Sequence, residues 1–220
     1  MEHVFFKPYV GENYKNGYSG KKLLILGDSH YCEGKLYNNR TVLEECGRQE
    51  DECLRFDGCE NFTSVVVNRF IDYKEGKGKH EFWMNTYTKF TNVFFGEKVD
   101  NEDLLEFWDC IMFFNYIQRP MLEKRQRPTE QDFVDGQIPF YEILKEYRPD
   151  LVFVWGFWLR DRLTNGRTWH STLLGKEEQN LYYYNIDGKK IKAYAIPHPS
   201  TPRYFNYWYH DFLQEALRIS

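Results

Sequence analysis

Three short apolar runs limit the fold of this chain more than any other feature. They are Leu23-Leu24-Ile25-Leu26, Ile111-Met112-Phe113-Phe114 and Leu151-Val152-Phe153-Val154-Trp155. None alternates with polar residues, so each reads as a strand buried on both faces, as in a parallel sheet. Each stops at a residue that turns the chain or carries polar atoms: Gly27, Asn115 and Gly156. Helical patterns lie between and after them. The spacing predicts a helix over Thr63–Tyr73 and another over His80–Phe95, where Trp83, Tyr87, Phe90 and Phe94 share one face. Asn101 is the expected cap of a third, with acids in its first turn. Thr129-Glu130-Gln131-Asp132 has the form of a capping box and opens a helix towards Tyr147. A short helix follows Gly156. Asp187-Gly188 predicts a hairpin between Leu181–Ile186 and Lys190–Ile196. A last helix is expected over Phe205–Leu217. Strands alternating with helices imply an α/β fold, a three-layer αβα arrangement around a mostly parallel sheet.

The 220 residues suit one domain spanning 1–220. The 18 Phe, 17 Tyr and 6 Trp supply enough apolar area for a packed core and exclude wholesale disorder. Residues 44–60 hold seven acids against two arginines and read as an acidic loop excursion. No apolar run approaches the ~18 residues of a membrane span, and Met1-Glu2-His3-Val4 lacks the basic and apolar regions of a secretory signal. A soluble cytoplasmic protein is the expectation, with no membrane and no obligatory protein partner. The net charge of -4 gives no bulk argument for nucleic acid. Local cationic stretches do exist at Arg119–Arg127, at Lys74, Lys77 and Lys79, and at Arg160, Arg162 and Arg167. They read either as solvated loops or as a phosphate-binding rim. Cys32, Cys46, Cys53 and Cys59 are spaced too widely for the tight pairs that zinc and iron–sulfur sites favour, so no metal is expected.

Ligands of open α/β sheets bind beyond the carboxyl ends of the strands. Three such ends carry polar groups: Gly27-Asp28-Ser29-His30-Tyr31, Asn115, and His198-Pro199-Ser200 after the hairpin. Gly27 permits close backbone approach. Asp28, Ser29 and His30 bring polar atoms. Asn115 offers both donor and acceptor. His198, flanked by Pro197 and Pro199, is held in place and in its neutral form can donate a hydrogen bond to a developing anion.

In this order, with Val154-Trp155-Gly156 between them, these motifs resemble the uracil-DNA glycosylase superfamily over roughly residues 21–217. The resemblance implies removal of an altered base from DNA without a cofactor. A flipped base would enter a pocket and stack on Tyr31 or Tyr37. Gly27 and Asn115 would contact it, and His198 would stabilise the departing base as an anion. Ser200 would grip the DNA backbone, and the segment that starts at Thr201 would enter the duplex, with Arg203 and Tyr204 filling the gap. The sequence departs from the family at the first motif. The water-holding acid or amide usually stands two residues after the glycine, where this chain has Ser29, and His30 replaces a proline. Asp28 or His30 then takes over the water, or the substrate differs, or the fold binds nucleic acid without hydrolysis. Gly27-Asp28-Ser29 also resembles the opening of the SGNH ester hydrolases, with Ser29 as nucleophile. Their paired C-terminal acid and histidine are matched only by the reversed His210-Asp211.

Overall fold

The computed structural model describes residues 1–31, 36–37, 40–41, 59–121, 126–163, 167–173, 176–201 and 207–220. In chain order the strands are β1 (Tyr9–Val10), β2 (Leu23–Gly27), β3 (His30–Tyr31), β4 (Leu36–Tyr37), β5 (Arg40–Thr41), β6 (Ile111–Asn115), β7 (Pro120–Met121), β8 (Leu151–Trp155), β9 (Arg167–Leu173), β10 (Lys176–Ile186) and β11 (Lys189–Ile196). The helices are α1 (Phe62–Lys74), α2 (Met84–Phe95), α3 (Asn101–Asp109), α4 (Glu130–Asp135), α5 (Gln137–Tyr147), α6 (Phe157–Arg160) and α7 (Tyr207–Arg218). No helix among the described residues is long and apolar enough to cross a membrane.

The three apolar runs form the middle of a seven-stranded sheet ordered β1-β6-β2-β8-β11-β10-β9. The neighbours β6, β2, β8 and β11 are mutually parallel. β1 and the β10–β9 extension pair antiparallel at the two edges. The chain is therefore an α/β fold with a parallel sheet centre. The expected hairpin is present. Asp187 and Gly188 both take positive φ, 47° and 82°, as a two-residue turn of this twist requires. Its first arm is longer than expected, reaching back to Lys176, and it pairs with β9, which no apolar alternation announced.

Side chains alternate across the pleat. Leu23, Ile25, Ile111, Phe113, Leu151, Phe153 and Trp155 face α1, α2, α3 and α7. Leu24, Leu26, Met112, Phe114, Val152 and Val154 face α4, α5 and α6. This is the three-layer arrangement. The first face is rich in rings. Tyr87 of α2 packs at 5.1 Å from Trp108, 5.2 Å from Phe70, 5.5 Å from Phe113 and 5.6 Å from Trp155. Each such pair adds about 0.5–1.5 kcal/mol beyond its area burial. The expected α2 face is thus core, with Tyr87, Phe90 and Phe94 buried.

Three helix boundaries differ from expectation, the first being α2, which begins at Met84 and not at His80. Asp100, not Asn101, caps α3. Its carboxylate accepts from the Asp103 N–H at 2.9 Å, and Asn101 is the first helical residue. The two neighbours are both good caps, and the extended backbone at Asp100 decides between them. The capping box at Thr129–Asp132 forms, but the helix it opens breaks at Gly136. A Cβ there would lie 2.7 Å from both the ring and the carbonyl oxygen of Tyr116. Glycine there lets the chain pass close to Tyr116, and α5 follows directly.

Most of the acidic stretch 44–60 lies outside the described residues, as do Cys32, Cys46 and Cys53. Glu60 at its end pairs with Lys7 at 2.6 Å.

Candidate active site

The parallel register sets the strand ends level. Gly27 stands beside Asn115, and Ile196 beside Trp155. The residues that follow, Asp28, Gly156 and Pro197-His198, therefore leave the sheet from one edge. Two different constructions are built there.

The first lies at the ends of β2 and β6. A Cβ on Gly27 would sit 2.1 Å from Asn115 Oδ1, so only glycine allows the Asn115 side chain to lie across this strand end. The Asn115 amide nitrogen lies 3.0 Å from His30 Nδ1 and 3.2 Å from its Nε2, and Nε2 lies 2.9 Å from Thr63 Oγ1. Phe6 and Phe62 close over the ring edge-on, each at 4.8 Å. His30 is 4% exposed, and burial lowers its pKa to about 3. Gln118 ties this unit to the amino-terminal segment. Its Nε2 donates to the Asn115 carbonyl at 2.8 Å, and its Oε1 accepts from Phe5 and Phe6.

Asn115 and His30 are both buried, and the Asn115 amide nitrogen faces the imidazole. The physical reason is β3, which pairs His30 with Pro120 of β7 and turns the imidazole under α1 rather than beyond the sheet.

The second construction is a cavity of about 330 Å³ at the ends of β2, β8 and β11, lined by Asp28, Tyr31, Arg127, Trp155, Trp158 and His198 among others. The volume sits at the small end of the roughly 300–1,000 Å³ range of small-molecule sites. Asp28 is positioned by its own backbone, whose carbonyl accepts from the Ile117 N–H at 2.9 Å. Its Oδ1 is buried without a hydrogen-bond partner. Burial pushes its pKa up to about 6, against the opposing pull of the Arg162 guanidinium. Such an oxygen calls for a water or ligand donor.

His198 reaches the cavity because Gly156 turns the chain sharply out of β8, at φ 102°, with its N–H donating to the Ile196 carbonyl at 2.8 Å. The ring packs edge-on to Trp155 at 6.0 Å. Its Nδ1 accepts from the Ser200 N–H at 3.2 Å and from Ser200 Oγ at 2.7 Å. The neutral tautomer therefore carries its proton on Nε2. Burial lowers the His198 pKa to about 4, so this neutral form persists through physiological pH. Ser200 thus orients His198. Thr201 donates its N–H to the His198 carbonyl at 2.9 Å and fixes the same turn.

The remaining predicted residues divide. Tyr31, 42% exposed, stands at the cavity rim with its hydroxyl donating to the Gln126 carbonyl at 3.4 Å. Tyr37 has only its backbone described, in β4. Arg203 and Tyr204 lie outside the described residues. Ser29 Oγ is buried without a partner, and no described histidine is hydrogen-bonded to it. His210 instead bonds the Phe94 carbonyl at 3.0 Å. A serine nucleophile needs an adjacent base.

The site also holds residues that motif reading passed over. Trp155 lines it with a buried, unpartnered indole N–H. Trp158 forms an exposed aromatic plane at the mouth, at 40% exposure. Their signal was position, since both flank the strand-end Gly156. No protein-family model matches this chain, and comparison with curated proteins finds no similar sequence, so its chemistry is read from the geometry of these residues.

Proposed function

We propose that this protein hydrolyses the N-glycosidic bond of an altered base flipped out of DNA into the cavity of Asp28 and His198. One observation carries the reading. A buried carboxylate oxygen with no partner and a neutral histidine with its proton on Nε2 line the same small cavity. Tyr31 offers an exposed ring against which a base stacks. The Asp28 carboxylate accepts a proton from water as that water adds to C1′ of the sugar. The electron pair of the broken C1′–N bond leaves with the base. His198 Nε2–H donates a hydrogen bond to that departing anion, a contact that strengthens as the charge develops. Neutral His198 suits this role because it adds no positive charge that Asp28 would neutralise.

The test is release of free base from oligonucleotides that carry a panel of modified bases, in duplex and single-stranded form. The expected result is release by the wild type that Asp28→Asn and His198→Ala both suppress. Equal release by all three proteins would sink the assignment.

A further inference from the structure

Two arginines lie against Trp158 and a third against the neighbouring Phe157, and they are not equivalent. The Arg162 guanidinium lies 3.3 Å from the Trp158 ring centre and is neutralised by Glu130 at 2.9 Å. Arg160 lies over Phe157 at 4.5 Å and is neutralised by Asp161 at 2.6 Å. Arg127 lies 5.1 Å from the Trp158 ring centre and lines the cavity mouth. Among the described residues no carboxylate pairs with it. Its side chain is exposed, and its planar fork of N–H donors is matched to carboxylate or phosphate geometry. An aromatic plane beneath a guanidinium restrains the side chain and leaves the in-plane N–H groups unused by the stack.

We propose that Arg127, held against Trp158, is the anion-binding arm of this cavity and takes a phosphate of the nucleotide whose base lies inside. The inference rests on the glycosylase reading for the base. It adds the group that holds that nucleotide's phosphate, Arg127 at the cavity mouth. The same chemistry would grip a phosphodiester in DNA or a free phosphate monoester, and the experiment separates them.

Binding of the full-length protein to a fluorescent duplex with a tetrahydrofuran abasic site is measured between 50 and 200 mM salt. Arg127→Ala should bind about tenfold more weakly, as expected for loss of one charge-assisted contact. The slope of log affinity against log salt should become shallower by about 0.9. Arg127→Lys should keep the slope and lose part of the affinity, because it keeps the charge and loses the fork. Trp158→Ala should weaken binding without changing the slope by a full contact. Competition by unlabelled duplex but not by inorganic phosphate or a deoxynucleoside monophosphate identifies a phosphodiester. Competition by either small anion at millimolar concentration identifies a monoester site.

An unchanged affinity and slope in Arg127→Ala, with its melting temperature that of the wild type, would overturn the proposal. So would absence of binding to all three probes by the wild type. The two readings fail separately. A slope change without base release from any substrate removes the glycosylase reading and leaves the anion arm. Base release with an unchanged slope does the reverse.

Discussion

The ends of β2 and β6 and the ends of β8 and β11 start from the same ingredients and finish differently. Each pair carries a glycine, a histidine and a polar partner at the carboxyl edge of one parallel sheet. At β2–β6 the histidine is sealed. His30 uses both ring nitrogens on protein groups, Asn115 and Thr63, and two phenylalanines cover it. At β8–β11 the histidine is half used. His198 spends Nδ1 on Ser200 and keeps Nε2–H for the cavity. Burial lowers the pKa of both. A depressed histidine pKa therefore does not distinguish a site from a strut here. The distinction lies in whether a hydrogen-bonding atom is left over beside an open volume. Asp28, one residue from the sealed end, belongs to the open one because it lines the cavity, and its Oδ1 is buried without a partner.

The comparison can be broken at each end, and the largest effect is expected at Asp28. Asp28→Asn should lower the rate of base release by about 10²–10⁴-fold, the usual contribution of a positioned general base. Single-turnover kinetics would show it. His198→Ala should cost about 10²–10³-fold, as for loss of one donor to a developing anion. The folded structure should be retained in both variants. A His198→Ala enzyme as fast as wild type would mean that the open end is as structural as the sealed one.

His30→Ala tests the sealed end in the opposite sense. It strands the Asn115 amide and the Thr63 hydroxyl in a ring-lined void, so unfolding free energy should fall by about 2–4 kcal/mol in urea titration. Any protein that remains folded should keep its rate within a few-fold. A large selective loss of rate at unchanged stability would place His30 in the chemistry after all.

The smallest effects are in pH. The folded-state pKa of Asp28, about 6, lies above its ordinary value of 3.8. Folding therefore favours its protonated form. That contribution is fully present below the unfolded value and is lost as pH rises through about 6. Asp28→Asn should accordingly be more stable than wild type at pH 8, by about 1–3 kcal/mol. The gap should close near pH 4. The histidines carry the other sign. Their stabilising contribution is present above pH 6.5 and is lost as the pH falls through about 4 for His198 and about 3 for His30. The rate of base release should rise through pH 6 as Asp28 ionises, with no second limb from His198 above about pH 4.

Much of this was legible before any coordinates. The buried parallel strands followed from apolar runs without alternation. The turn at Asp187-Gly188 followed from its sequence type, and the core role of Tyr87, Phe90 and Phe94 from helical spacing. The sheet edge that carries the cavity followed from the rule that ligands bind beyond strand ends. The rest depends on contacts between distant residues. β9 has no period of its own to announce it. The pairing of His30 with Asn115 joins residues 85 apart in sequence. That of His30 with Thr63 joins residues 33 apart. Neither spacing leaves a local pattern.

By itself the sequence determined which segments form the central parallel strands, which edge of their sheet is polar, and that Asp28 and His198 leave that edge. These follow from local chemistry: side-chain size, turn geometry and the period of hydrophobicity. Only the tertiary structure decided that Asn115 and His30 satisfy each other while Asp28 and Trp155 keep polar atoms unpaired beside a cavity. Hydrogen-bond satisfaction belongs to the packed whole, because a donor is used or left over according to what the rest of the chain brings within 3 Å of it.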